Sequence, residues 1–222
     1  MTGGRGCHIR WPVVLFDLDG TVADSIDLII ASYTHALATV SGDSCPREEM
    51  LGWIGRTFEA TLAKRDPDRA EELIAAYRAY NEAHIAQAVT AYPGVRDLLA
   101  DLREAGVVTG VVTAKRRAVA QMTLAAAGLS DVIDLVGGQE DSLTHKPEPG
   151  PLLAASASLG VDVTTACYVG DAVTDLQAAQ AAGMAAVAVT WGAGVEADLA
   201  ACGPDAVCRD VGTLRDVLLK HA

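Results

Sequence analysis

The sequence predicts an α/β fold, a doubly wound Rossmann-like parallel sheet core with one inserted all-helical cap subdomain. Three observations predict it. A short apolar run, Val13-Val14-Leu15-Phe16, opens the ordered pattern and ends at Asp17-Leu18-Asp19-Gly20-Thr21. From Val107 onward, strand-type and helix-type segments alternate, as in a parallel sheet covered on both faces. Between these parts, residues 23–91 are Ala-rich, carry helical apolar spacing and contain no convincing strand.

The run 13–16 reads as a buried strand, and Gly20 lets the backbone leave it sharply. Ile26, Ile29, Ile30, Tyr33, Leu37 and Val40 then fall on one helical face, in a segment that Asp24 or Ser25 can cap. Further helices are expected around 46–53, 56–64 and 67–90. Tyr92-Pro93-Gly94 closes the insert, with Pro93 placed to open a helix over 94–105. A strand over 107–112, a helix over 116–127, a strand over 132–136 and a helix over 149–159 follow. A strand over 166–169, a helix over 173–182, a strand over 185–189 and a last helix over 210–219 complete the series. Residues 1–22 and 92–222 are therefore expected to form the core and 23–91 the cap. Trp191-Gly192-Ala193-Gly194 lacks the third in-register glycine of a dinucleotide fingerprint and reads as a loop.

Half of the 222 residues are apolar, enough for one core and an appended subdomain. A net charge of −12 argues against a nucleic-acid partner, which needs a basic face. Lys115-Arg116-Arg117, the only adjacent basic triplet, reads as a helix start near a small anion or as a solvated face. Cys7, Cys45, Cys167, Cys202 and Cys208 are scattered, with no Cys-x-x-Cys spacing, so neither a disulfide framework nor a zinc site is indicated. His8, His35, His84 and His221 show no ligand spacing. The first ten residues lack a signal peptide's apolar segment, and no run approaches the roughly 18 apolar residues of a membrane span. The expectation is a cytoplasmic monomer or homodimer with no membrane partner.

In open parallel sheets ligands sit beyond the carboxyl ends of the strands, and four such positions carry suitable chemistry. Asp17 and Asp19 share one face of the first strand end, because successive residues point to opposite sides. Thr113 follows the second strand, where its hydroxyl and the N–H of Ala114 either cap the helix or hold a phosphate oxygen. Lys146 lies in His145-Lys146-Pro147-Glu148-Pro149, whose prolines restrict the backbone. Asp171 ends another strand, with Asp175 one helical turn on. Each alone is an ordinary cap or surface group. Together, four carboxylates around one lysine leave a surplus of about three negative charges, which a hard divalent cation neutralises. Mg2+ is the expected cofactor, and phosphoryl transfer the chemistry that uses such a set.

These motifs in this order resemble the haloacid dehalogenase superfamily of phosphohydrolases. The match rests on Asp17-x-Asp19-Gly20-Thr21, Thr113, Lys146 in Lys-Pro-x-Pro, and Gly170-Asp171-x-x-x-Asp175. Tyr92-Pro93-Gly94-Val95 and Val189-Thr190-Trp191-Gly192 are similar to stretches of its phosphoglycolate-phosphatase-like branch. The resemblance implies that Asp17 is the nucleophile and Asp19 the acid and base. It implies that Thr113 and Lys146 bind the phosphoryl group, joined by Gly20, Thr21, Ala114 and Lys115. It further implies Mg2+ held by Asp17, the Asp19 carbonyl and Asp171, supported by Asp175, under a helical cap. Two departures stand out: Thr113-Ala114-Lys115 where the branch often has Thr-Asn-Lys, and Ala172 where Ser or Thr is frequent. In the cap, Arg56 after Gly55 is a candidate for a substrate carboxylate or second phosphate, or an exposed arginine.

The expected activity is hydrolysis of a small phosphorylated metabolite, with 2-phosphoglycolate the first substrate. A pyrophosphatase or a β-phosphoglucomutase-like phosphosugar mutase of the same superfamily is the alternative. A phospho-accepting receiver module is more remote, because such modules lack a helical insert after the first strand.

Overall fold

The computed structural model describes residues 10–219; Cys7, His8 and His221 lie outside them. Strand β1 (Val13–Phe16) leads through a tight turn to a two-residue strand, β2 (Ala23–Asp24). Four helices follow: α1 (Ile26–Ala36), α2 (Arg47–Leu51), α3 (Phe58–Arg65) and α4 (Ala70–Ala88). Strand β3 (Thr90–Ala91) then pairs antiparallel with β2, Ala23 opposite Ala91 and Asp24 opposite Thr90. The helical segment thus leaves and re-enters the sheet-bearing part at one place.

The alternating part comprises α5 (Val95–Glu104), β4 (Val108–Val112), α6 (Arg117–Ala126), β5 (Leu135–Gly137) and α7 (Gly150–Leu159). It continues through β6 (Ala166–Gly170), α8 (Val173–Ala182), β7 (Ala185–Val189), α9 (Glu196–Ala201), β8 (Ala206–Cys208) and α10 (Val211–Leu218). Six strands form one parallel sheet in the order β5-β4-β1-β6-β7-β8. The order reverses at β1, so β1, β4 and β6 lie side by side at the centre.

Alternation along β1 assigns its side chains to two layers. Val14 and Phe16 join the cluster that includes Leu98, Leu102, Leu124 and Leu214, whereas Val13 and Leu15 join the one that includes Leu152, Leu176 and Leu199. All four are buried, as a central parallel strand requires, and each such side chain contributes roughly 1.5–3 kcal/mol. A third cluster gathers Ile26, Ile29, Ile30, Tyr33, Leu62, Leu73 and Tyr77 among the four inserted helices.

The sheet with helices on both faces is the predicted fold class. Four details differ. The third main-sheet strand, predicted over 132–136, is Leu135–Gly137, because Val132 and Ile133 are buried in the turn that precedes it. The strand β8 and helix α9 were not predicted; three and six residues give too short a period to detect. The inserted segment, read as strand-free, begins and ends in β2 and β3, whose two residues each carry no alternation.

Candidate active site

Asp17 stands one residue beyond β1, where its N–H still donates to Val169 O at 2.9 Å across the ladder to β6. Its side chain is 4% exposed and meets Lys146 Nζ at 2.8 Å. An ammonium has three protons to donate, and Lys146 aims them at Asp17 Oδ1, Asp175 Oδ1 at 2.5 Å and the Tyr168 hydroxyl at 3.1 Å. Tyr168 in turn donates to Val112 O at 2.7 Å. This interior polar knot ties the ends of β1, β4 and β6 to the loop bearing Lys146.

Asp175 occupies the first turn of α8, where Oδ2 accepts the Ala172 N–H at 3.0 Å while Oδ1 faces Lys146. The helix-cap and charge-pair readings are therefore both realised. Asp171, directly after β6, accepts the Thr21 hydroxyl at 2.8 Å and the Ala193 N–H at 2.7 Å. It lies tight against glycine backbone. A Cβ at Gly20 would stand 2.3 Å from Asp171 Oδ2, and one at Gly192 2.2 Å from the same atom. Gly20 also has φ +81°, a left-handed conformation that side chains disfavour.

Asp17, Asp171 and Asp175 each present a carboxylate oxygen within 4.8 Å of the others, all three buried. Burial is the largest effect on Asp17, pushing it up to about 7; Lys146 pulls it down, while Asp175 and Asp19 add to the rise. Burial likewise holds Asp171 well above the usual carboxylate range, reinforced by Asp175 and Asp17 and opposed by the Ala193 and Thr21 donors. For Lys146 burial favours proton loss, but Asp17 and Asp175 overcome it and hold the ammonium well above its ordinary value. One lysine does not balance three buried carboxylates. A hard oxygen-donor set with this deficit fits a divalent cation.

Asp19 has partners of its own. Its carboxylate accepts the Ser25 hydroxyl at 2.5 Å and pairs with the Lys115 ammonium, outside the three-carboxylate cluster. Asp17 and Asp19 still line one cavity of about 50 Å3, together with Thr113, Ala114 and Lys115 from the β4 end. Thr113 Oγ1 accepts the Lys115 N–H at 3.2 Å, so its capping role is occupied as well. The roof of the cavity comes from the inserted segment and includes Arg56, between α2 and α3, with Tyr33, Phe58, Arg78 and Asn81 from its helices.

Nine of the proposed site residues thus gather at the strand ends or at the cavity: Asp17, Asp19, Thr113, Ala114, Lys115, Lys146, Asp171, Asp175 and Arg56. Thr21 and Gly20 instead face Asp171. Arg56 lines the cavity but is exposed. Lys115 supplies a second ammonium to the carboxylate group, which the count of one lysine omitted.

Tyr168 and Arg78 were not anticipated; Ser25 was read only as a helix cap, Arg116 only as part of the basic triplet and Ala193 only as part of a loop. Tyr168 sits inside the apolar strand that Asp171 follows, where a tyrosine reads as core. Backbone contacts such as that of Ala193 leave no mark in residue type. The loop reading of 191–194 holds, with Trp191 Nε1 donating to Thr21 O at 3.1 Å.

Comparison with known proteins agrees with this architecture. Residues 14–189 match the model of the haloacid dehalogenase-like hydrolase family. A pyrophosphatase PpaX of Bacillus cereus is 36% identical over 205 residues, covering 92% of this chain and 95% of that one. A haloacid dehalogenase-like hydrolase from Bacteroides fragilis superposes with a TM-score of 0.85 at 26% identity, covering 92% and 99% of the two chains. A predicted phosphoglycolate phosphatase from Haemophilus somnus, at 24% identity, shares the fold with a TM-score of 0.82 over 95% of this chain and 98% of that one. With the carboxylates, lysine and threonine at its strand ends, and a family match over most of its length, this chain belongs to the haloacid dehalogenase-like hydrolases.

Proposed function

We propose that this chain is a Mg2+-dependent phosphatase that hydrolyses a small phosphorylated metabolite through an aspartyl-phosphate on Asp17. The observation that carries the reading is a buried Asp17, held by Lys146 beside two further carboxylates and open to a small cavity.

Asp17 attacks phosphorus, forming the acyl-phosphate bond as the bond to the leaving oxygen breaks. Asp19, on the cavity side and held by Ser25 and Lys115, gives that oxygen its proton. It then takes a proton from the water that attacks the phosphoenzyme, releasing orthophosphate and restoring the Asp17 carboxylate. Thr113, the Ala114 N–H and Lys115 bind the phosphoryl oxygens, and Lys146 keeps Asp17 aligned. Asp17, Asp171 and the Asp19 carbonyl would hold Mg2+, with Asp175 in support. When bound, the ion shields the repulsion between carboxylate and phosphate. Residues 23–91 act as a cap that excludes bulk water and limits substrate size.

2-Phosphoglycolate is the first substrate, on the resemblance of the chain to the phosphoglycolate-phosphatase-like branch. Pyrophosphate is the second reading, favoured by the name of the Bacillus cereus relative and its extensive coverage. The test is phosphate release from phosphoglycolate, pyrophosphate, sugar phosphates and an aryl phosphate, with and without Mg2+, for the parent and Asp17→Asn. Metal-dependent turnover that Asp17→Asn abolishes is expected. Stoichiometric phosphate uptake without release would move the reading to a receiver, and intramolecular transfer on a sugar to a mutase.

A further inference from the structure

Two arginines that line the cavity, one from its roof and one from beyond the β4 end, have incomplete hydrogen bonding. Arg78, on α4, pairs with Glu59 at 2.8 Å, and Arg116, just after Lys115, pairs with Glu82 at 3.0 Å. Both arginines and Glu82 line the cavity above Asp17 and Asp19. Arg78 and Glu82 are one helical turn apart on α4, so Glu82 brings Arg116 alongside Arg78. Yet the Nε–H of each guanidinium is buried and without an acceptor. A third buried orphan, Gln139 Oε1, belongs to a residue whose amide donates to the same Glu59 that holds Arg78. Three of the five orphaned buried side-chain atoms among the described residues therefore belong to these two ion pairs and to the glutamine bound to one of them. Native interiors satisfy such groups, and two unpaired cationic donors lining one cavity call for an anionic acceptor.

The catalytic floor already supplies hydrogen-bond donors for the reacting phosphoryl group in Thr113, Ala114 and Lys115. Arg78 reaches the cavity from α4, on the inserted side, whereas Arg116 follows Lys115 in the chain, and Glu59 and Glu82 hold the two guanidinium groups. We propose that Arg78 and Arg116 bind a second anionic group of the substrate, making them its specificity-determining residues. The substrate class is then a small phosphate carrying a further carboxylate or phosphoryl group a few atoms from the first. This deepens the phosphatase reading and rests on it for the position of the reacting phosphate. Arg56, the arginine singled out from the sequence, is more exposed and also faces an outer groove beside Trp53 and Lys64.

The experiment is calorimetric titration of phosphoglycolate, pyrophosphate and methyl phosphate into Asp17→Asn with Mg2+ present, alone and combined with Arg78→Lys or Arg116→Lys. Lysine keeps the charge but removes the Nε donor and the planar fork. Asp17→Asn alone should prefer either doubly anionic ligand over methyl phosphate by about tenfold or more, the worth of one charge-assisted hydrogen bond. In each arginine variant that preference should fall to within about twofold. In the otherwise unaltered chain the same variants should raise KM for phosphoglycolate more than they lower kcat. A preference that survives both substitutions, or equal loss for all three ligands, overturns the proposal. Ligand discrimination without phosphate release would sink the phosphatase reading and keep the clamp. Turnover with no preference for a second anion would do the reverse.

Discussion

Tyr168 is buried beside Asp17 and works in two directions, accepting from Lys146 and donating to Val112 O. Tyr168→Phe leaves one ammonium proton and one carbonyl without partners, so a stability loss of about 1–3 kcal/mol is expected. Urea midpoints measure it, and a shift under about 0.3 kcal/mol would contradict the knot described. Gly192→Ala addresses the same cluster from the other side. Its Cβ would meet Asp171 Oδ2 at 2.2 Å and Gly20 O at 2.4 Å, so the carboxylate must shift or the loop open. Phosphate release should fall by about tenfold or more, following the loss of Asp171 geometry; near-parent turnover would show that the loop yields freely. The convergence of Asp17, Lys146, Asp171 and Asp175 was legible in the sequence, because each follows a strand and a parallel sheet brings strand ends together. Tyr168 was not, since a tyrosine inside an apolar strand reads as core. Arg78 was hidden for a similar reason: helical spacing marks a polar face without saying what that face covers.

At the scale of elements, Arg96 on α5 makes a two-pronged contact to Asp131, at 2.8 and 2.5 Å, in the turn between α6 and β5. The Arg96 hydrogen bond lowers the Asp131 carboxyl to about 2. A folded-state value below the unfolded one stabilises above the unfolded pKa, near 4, and that contribution disappears as pH falls toward 2. Arg96→Ala should therefore flatten the acid-side slope of the melting midpoint between about pH 4 and 2, leaving the remaining carboxylates to set the rest. The effect is small because the pair is exposed. An unchanged slope in that window would show that the pair contributes nothing. Long periodic elements such as α1 and α5 were legible, as were the buried runs of β1, β6 and β7. The edges were not: β5 is displaced by a buried turn, and β8 and α9 are too short for periodicity to register.

Across the whole molecule, the carboxylate cluster sets stability against function. Three buried carboxylates within 4.8 Å repel one another, so a cation that binds them only in the folded chain stabilises it by mass action. Added Mg2+ should raise the melting midpoint and a chelator should lower it. Asp171→Asn removes one charge, and its amide can keep both neighbours, the Thr21 hydroxyl turning from donor to acceptor. Without metal this variant should melt at least about 2 °C above the parent, the equivalent of somewhat under 1 kcal/mol at this size, and should lose the Mg2+ response. Equal midpoints with the response intact would place the ion elsewhere. No helix among the described residues is long and apolar enough to cross a membrane.

The pairing of Ala23 with Ala91 has a consequence for how such a chain diversifies. The inserted helices enter and leave through neighbouring strands, about 5 Å apart by the geometry of a paired ladder. A two-residue turn spans that gap. The segment is therefore a cassette: it can be exchanged for another of different length without re-threading the sheet or altering strand order. Leu28, Ile85 and Val89, which pack into the main core cluster, form the seam that any replacement has to match. A lineage can in this way keep the sheet and the carboxylates at its strand ends while exchanging the helices above them.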